Sequence, residues 1–118
     1  MKNRDVIYLF IMNSSDDVEH LTELCGALDT NEFLCVLAIH DGKDLENKSF
    51  FLTLENTIKD FPKIIEFNLR EYDIQASSIY QEISKFLREK RIDGIILSKK
   101  LIEVGKSFDK AGIPVMIY

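Results

Sequence analysis

Residues 78–98, SIYQEISKFLREKRIDGIILS, carry the strongest evidence for the kind of fold that this chain adopts. Its first half places Ile79, Ile83 and Phe86 at helical spacing and therefore predicts an amphipathic helix. A charged, glycine-containing segment then breaks this period, and the wholly apolar run 95–97 predicts a short strand. A helix that leads into a strand without a polar face is typical of a parallel sheet covered on both sides.

Helical and strand patterns alternate through the rest of the chain. Residues 6–12 and 33–39 are apolar throughout and predict buried strands, 65–69 alternates and predicts an edge strand with one face toward solvent, and 115–118 predicts a final strand. Helices are expected from near Asp16, from about residue 48 to 60 and from 101 to 111. We interpret Asp16 and Glu19 as a capping box and place Asp17 on the solvent side of the first helix.

We therefore expect one α/β domain spanning residues 1–118, a three-layer α/β/α sandwich around a five-stranded parallel sheet of order 3-2-1-4-5. The continuous apolar strands one and two belong inside the sheet, and the alternating strand three belongs at its edge. This order creates a topological switch point between strands one and four. Ligands of such sheets bind beyond the carboxyl ends of the strands at that point.

Polar residues follow both strands at the switch point. The candidate ligand-binding residues there are Asn13, Ser14 and Ser15 after strand one, and Ser98, Lys99 and Lys100 after strand four. Together with the N–H groups of the first helix, they could bind a small anion or a nucleotide. The alternative is that the first group caps a helix and the lysines solvate a loop.

Other motifs carry weaker chemistry. His40, followed by Asp41, ends strand two on the ligand side and could act as a general base, but no nucleophile is marked beside it. The alternative is a histidine at the edge of the core. Gly105-Lys106-Ser107 fails as the tail of a phosphate-binding loop, because Lys100 stands where an earlier glycine is needed. The chain contains no G-x-G-x-x-G motif.

Neither histidine nor cysteine spacing predicts a metal site. His20 and His40 are far apart in sequence, and Cys25 and Cys35 fall at positions expected to be buried. We therefore expect core thiols, no disulfide framework, no metal and no catalytic residues.

Charge and hydropathy limit the partners that we expect. The net charge of −5 argues against a nucleic-acid partner. Residues 1–61 carry 5 basic and 12 acidic side chains, whereas residues 62–118 carry 10 and 8, so the second half would supply the cations for an anion. The longest apolar run is too short for membrane insertion, and Met1–Asp5 does not resemble a secretory signal. We therefore expect a cytoplasmic location.

Three segments resemble the universal stress protein family (UspA-like). Residues 12–16 match the position of the family's V-D-G-S-type turn, residues 93–99 resemble its fourth strand, D-L-I-V-M-G-S, and residues 114–118 resemble its closing P-V-L-V-V. The resemblance spans nearly the whole chain and implies the adenine nucleotide alpha hydrolase-like fold.

The departures from the family pattern bear on function. Members that bind ATP carry G-x-x-G, nine residues and then G-S or G-T after strand four, whereas Ser98 and Leu101 stand at the first two glycine positions here. Only Gly105 and Ser107 resemble the rest of that motif, and with His40 they complete the candidate ligand-binding residues. Asn13 replaces the adenine-side aspartate. The resemblance thus implies a non-enzymatic, stress-related or regulatory module with a degenerate nucleotide-binding crevice that does not bind ATP in the family manner. It implies no required cofactor, and an adenine nucleotide stays open as a ligand.

The family also implies partners. Its dimers often pair their last strands, so we expect a homodimer through the C-terminal strand, with Tyr118 exposed to that pairing, besides a small anionic ligand or a protein partner. Three alternatives stay open: a cytoplasmic regulatory tail of a cation/proton antiporter, a single-lobe sugar-binding-like domain, and a fragment of a nucleotide-sugar glycosyltransferase. The sugar alternative comes from residues 91–97 and 111–115, and the glycosyltransferase alternative from residues 8–41.

Overall fold

The computed structural model describes residues 4–118, in which strands and helices alternate along the chain. The elements are β1 Val6–Met12, α1 Asp17–Ala27, β2 Glu32–His40, α2 Leu45–Thr57 with a 3₁₀ turn at Ile58–Asp60, β3 Ile64–Glu71, α3 Ile79–Glu89, β4 Gly94–Leu97, a 3₁₀ turn at Lys99–Leu101, α4 Ile102–Lys110 and β5 Val115–Ile117. The prediction that Met1–Asp5 is not a secretory signal rests partly on residues 1–3, which lie outside the described residues.

The five strands form one sheet in which every neighbouring pair is parallel, in the order β3-β2-β1-β4-β5. This confirms the predicted fold class and strand order. β1 lies at the centre, where Phe10 pairs with Val36 of β2 on one side and with Ile96 of β4 on the other. The carboxyl ends of β1 and β4 are therefore neighbours, as the proposed crevice requires.

Each face of the sheet has its own apolar core. One core packs β1, β2 and β4 against α3 and α4 through Ile83, Phe86 and Phe108. The other packs the sheet against α1 and α2 through Leu21 and Phe51. On this second face, α1 and α2 follow β1 and β2 and cover that half of the sheet. β4 and β5 are therefore less covered on the same face. Met116, which pairs with Ile96 in the sheet, is 46% exposed.

The helix starts differ in part from the predictions. Asp16 makes no side-chain capping bond, so the predicted Asp16–Glu19 capping box is wrong. A complete capping box instead begins α3, where the Ser78 hydroxyl accepts from the Gln81 N–H and the Gln81 side chain accepts from the Ser78 N–H. α2 begins at Leu45, three residues before the predicted start, because Asp44 accepts a capping bond from the Asn47 N–H.

β3 is an edge strand, as predicted, but its polar face is not left to solvent. Glu66 forms an ion pair of 3.0 Å with Lys90, which follows α3, and Arg70 forms one of 3.2 Å with Glu89 at the end of α3. The strand also carries an irregularity at Ile65, which is 53% exposed, where the pairing with β2 shifts by one residue. Such a bulge disfavours pairing with another chain at this edge.

No helix between residues 4 and 118 combines the length and apolar character needed to cross a membrane.

Candidate functional site

The loops after β1 and β4 meet at the carboxyl edge of the sheet. The Lys100 ammonium donates to the Ser14 hydroxyl at 3.2 Å, which joins the two loops directly. The structure thus brings together the two groups of residues that the topology predicted to converge. A cavity of about 230 Å³ lies between them, lined by Asp16, Asp17, His20, Ser98, Lys99, Lys100 and Tyr118.

The backbone N–H groups of the β1–α1 loop are occupied by the chain itself. The Asp17 carboxylate accepts from the N–H groups of Asn13 and Ser14, at 3.0 and 3.2 Å. The Ser15 N–H donates to the Asn47 side chain at 3.0 Å, and the Asp16 N–H donates to the Ser14 hydroxyl at 3.1 Å. A phosphate bound just before a helix uses loop N–H groups such as these. Four consecutive donors therefore already have partners.

Asp17 is the central residue of this arrangement, and sequence reasoning placed it wrongly on the solvent side of α1. Its side chain is only 2% exposed, because it folds back toward the preceding loop instead of pointing outward. The Lys100 ammonium lies 3.8 Å from its second carboxylate oxygen. The available signal was the position of an aspartate three to four residues after a turn, from which its carboxylate can reach backward to N–H groups.

Tyr118 closes the crevice from the sheet side. Its ring stacks on Phe10 with centroids 5.1 Å apart and an interplanar angle of 4°, and it contacts the His20 ring at 4.4 Å. Its hydroxyl donates to the Ile11 carbonyl at 3.3 Å. Burial, and secondly the nearby Asp17 carboxylate, raises the pKa of Tyr118. The side chain predicted to lie exposed at a dimer edge is therefore turned inward.

Two polar atoms in this region lack a hydrogen-bond partner within the described part of the chain. They are the Ser98 hydroxyl, on a side chain that is 5% exposed, and the Asn13 carboxamide oxygen. Buried polar atoms in native proteins nearly always have a partner, supplied by protein, water or ligand. Ser98 also lines the cavity. Its hydroxyl thus offers an unmet donor and acceptor to a molecule placed there.

The two lysines differ in their roles. Lys100 is half exposed and contacts both the Ser14 hydroxyl and the Asp17 carboxylate. Asp17 therefore balances much of its positive charge. Lys99 is exposed, and its backbone N–H donates to the Tyr118 carbonyl at 3.0 Å, which ties the loop to the end of β5. No carboxylate of residues 4–118 forms an ion pair with the Lys99 ammonium. Lys99 is therefore the cation available to an anionic group at the crevice.

His40 has structural partners at the end of β2. It is 6% exposed, its Nδ1 atom accepts from the Gly42 N–H at 3.0 Å, and its ring packs on Phe51 at 6.0 Å. This acceptor role requires a proton-free Nδ1 and places any ring N–H on Nε2. These contacts are those of a histidine at the edge of the core.

Gly105 and Ser107 lie on α4, not in a phosphate-binding loop. Gly105 is buried, and a Cβ atom there would come within 3.3 Å of methyl groups of Leu97, Val115 and Ile117. Ser107 is exposed and donates to the Glu103 carbonyl one turn earlier. The glycine therefore allows close packing of α4 on β4 and β5, which explains its presence without a phosphate.

Metal-ligating side chains and cysteine thiols are further candidate sources of chemistry among the described residues. Among residues 4–118 no group of three or more histidine, cysteine or acidic side chains is placed to hold a metal ion. Both cysteines are free; burial raises the pKa of Cys25, and raises that of Cys35 to about 12, so neither thiol is activated.

Comparison of the chain with models of protein families, with curated proteins and with solved structures finds no match.

Proposed function

We propose that this protein is a non-enzymatic regulatory module of the stress-related type, whose degenerate nucleotide crevice does not bind ATP by cradling its phosphates. One observation carries the proposal: the buried Asp17 carboxylate occupies the N–H groups of Asn13 and Ser14. A triphosphate would have to displace this carboxylate and then face its negative charge at short range. The resemblance to universal stress proteins supports the regulatory role, and the two free cysteines support a cytoplasmic location.

The proposal includes self-association through β5. This strand is the free edge next to β4, and apolar side chains are exposed along it and on the adjoining helix: Met116 at 46%, Ile117 at 39% and Ile102 at 44%. An exposed apolar edge strand favours pairing with another strand. A second copy related by a twofold axis would cover this edge and continue the sheet.

ATP binding is tested by isothermal titration of the wild type, of Asp17→Ala and of Asp16→Ala with ATP and magnesium. Both substitutions remove one negative charge, but only Asp17 holds the loop N–H groups. The proposal predicts no binding to the wild type or to Asp16→Ala, and weak binding to Asp17→Ala. Saturable ATP binding to the wild type, lost on replacing Ser14 or Lys100, would overturn it.

Self-association is tested by sedimentation equilibrium of the wild type, Met116→Lys and Ile65→Lys. The two substitutions add the same charge at exposed positions on opposite edges of the sheet. We expect a dimer for the wild type and for Ile65→Lys, and a monomer for Met116→Lys. A monomeric wild type at all concentrations would remove this part of the proposal.

A further inference from the structure

A second cavity of about 260 Å³ adjoins the crevice on the α1 side of the sheet. It is lined by Phe10, His20, Glu23, Leu24, Ala27, Ile96 and Tyr118. His20 and Tyr118 also line the polar cavity, so the two spaces meet at these side chains. Apolar lining with a few polar groups at one end is the usual composition of a small-molecule site.

The shape of the apolar cavity, called the α1–β4 groove below, limits what it can hold. α1 runs from the carboxyl edge of the sheet toward the amino edge, and its groove residues His20 to Ala27 span about 10 Å at 1.5 Å per residue. Phe10 and Ile96 lie beneath, both under 5% exposed. Apolar cavities of roughly 150 Å³ already accept benzene. The groove therefore suits one ring system with a short substituent.

Two polar side chains of α1 line the groove, His20 next to the crevice and Glu23 about one turn further along the helix. Toward the crevice lie the Ser98 hydroxyl, which has no partner in the described chain, and the Lys99 ammonium, which forms no ion pair there. Of the acidic groups nearby, Asp17 is held by two N–H groups and Lys100, whereas Asp16 is exposed. The Glu23 side chain is exposed and lines the middle of the groove's α1 wall, between His20 and Ala27.

From these observations we infer that the α1–β4 groove binds a small aromatic carboxylate. Its ring lies between α1 and β4, beside the stacked rings of Tyr118 and Phe10, and its carboxylate accepts from the Ser98 hydroxyl and faces Lys99. Aromatic rings favour flat partners in offset or edge-to-face contact. This site is separate from the phosphate-cradling N–H groups, so it does not depend on whether ATP is excluded.

Indole-3-acetate serves as the probe, with 3-methylindole and octanoate as the neutral aromatic and the aliphatic anionic comparisons. Binding is followed by amide chemical shifts of the full chain. We expect saturable binding of indole-3-acetate, with amide shifts at Leu24, Ala27, Ile96 and Ser98. Both 3-methylindole and octanoate should bind more weakly. Equal binding of octanoate would overturn the aromatic assignment, and equal binding of 3-methylindole would overturn the carboxylate assignment.

Two pairs of variants locate the site. Ala27→Leu fills the groove and is expected to weaken binding about tenfold. Thr22→Leu adds an apolar side chain to the same helix outside the groove and should leave binding unchanged. Lys99→Gln is expected to weaken binding about threefold, as for one exposed ion pair, while Lys110→Gln should not. Unchanged binding in folded Ala27→Leu, or shifts confined to Asn13 and Ser14, would refute the inference.

Discussion

Removing the Asp17 carboxylate should cost far more stability than removing that of its neighbour Asp16. Asp17→Ala deletes two hydrogen bonds to a buried carboxylate, of 3.0 and 3.2 Å, and leaves the N–H groups of Asn13 and Ser14 without their partner. Hydrogen bonds to charged groups contribute about 1.5–3 kcal/mol each, and release of a buried charge offsets part of this. We expect a net loss of about 3 kcal/mol.

Asp16→Ala is the matched control, because this neighbouring side chain is exposed and makes no capping bond. It should change the free energy of unfolding by less than about 0.5 kcal/mol. Urea denaturation followed by circular dichroism measures both variants, and calorimetry should show the melting temperature of Asp17→Ala lowered by about 12 °C. Equal stabilities for the two variants would refute the assigned role of Asp17.

Four further substitutions test local features of the fold. Both Gly26 and Gly112 have open space for a Cβ atom, but only Gly112 has a positive φ, of 83°. In a thermal melt, Gly26→Ala should therefore stabilise the protein by about 0.5–1 kcal/mol, whereas Gly112→Ala should destabilise it. Ser78→Ala should cost about 1 kcal/mol in urea titration by removing the α3 capping box, and an unchanged midpoint would contradict this. Burial raises the pKa of the Cys35 thiol from 9.0 to about 12, so its contribution to the free energy of unfolding is complete below pH 9 and falls as the pH rises to about 12. Cys35→Val should therefore make the free energy of unfolding fall less steeply between pH 9 and about 12. An identical pH profile for the variant and the wild type would contradict this.

The fold was predictable because its strongest signals are local. Residues 6–12 and 33–39 are apolar at every position, and the structure buries most of both as inner strands. The alternation at residues 65–69 correctly marked an edge strand. Given right-handed crossovers, these patterns leave few arrangements other than the observed order. The meeting of the β1 and β4 loops followed from that order.

The interior of the crevice was less predictable, because side-chain direction depends on tertiary contacts. A helical period assigns Asp17 to the solvent side, yet the preceding loop supplies two N–H groups that its carboxylate can reach. Tyr118 ends an apolar edge strand, a position that suggests exposure, but Phe10 and His20 provide ring surfaces that hold it inward. Gly105 is predicted to belong to the ligand-binding residues, but here it allows close packing of α4 on β4 and β5.

The defining feature of the crevice is that the chain's own acceptors hold the loop N–H groups. An amide-resolved NMR titration of the wild type with ATP and magnesium measures this at Asn13, Ser14 and Ser15 individually. We predict that these three amide resonances stay unchanged in a large molar excess of ATP over the protein. Saturable shifts at Asn13 and Ser14 would show that a phosphate displaces the Asp17 carboxylate, and would contradict the account.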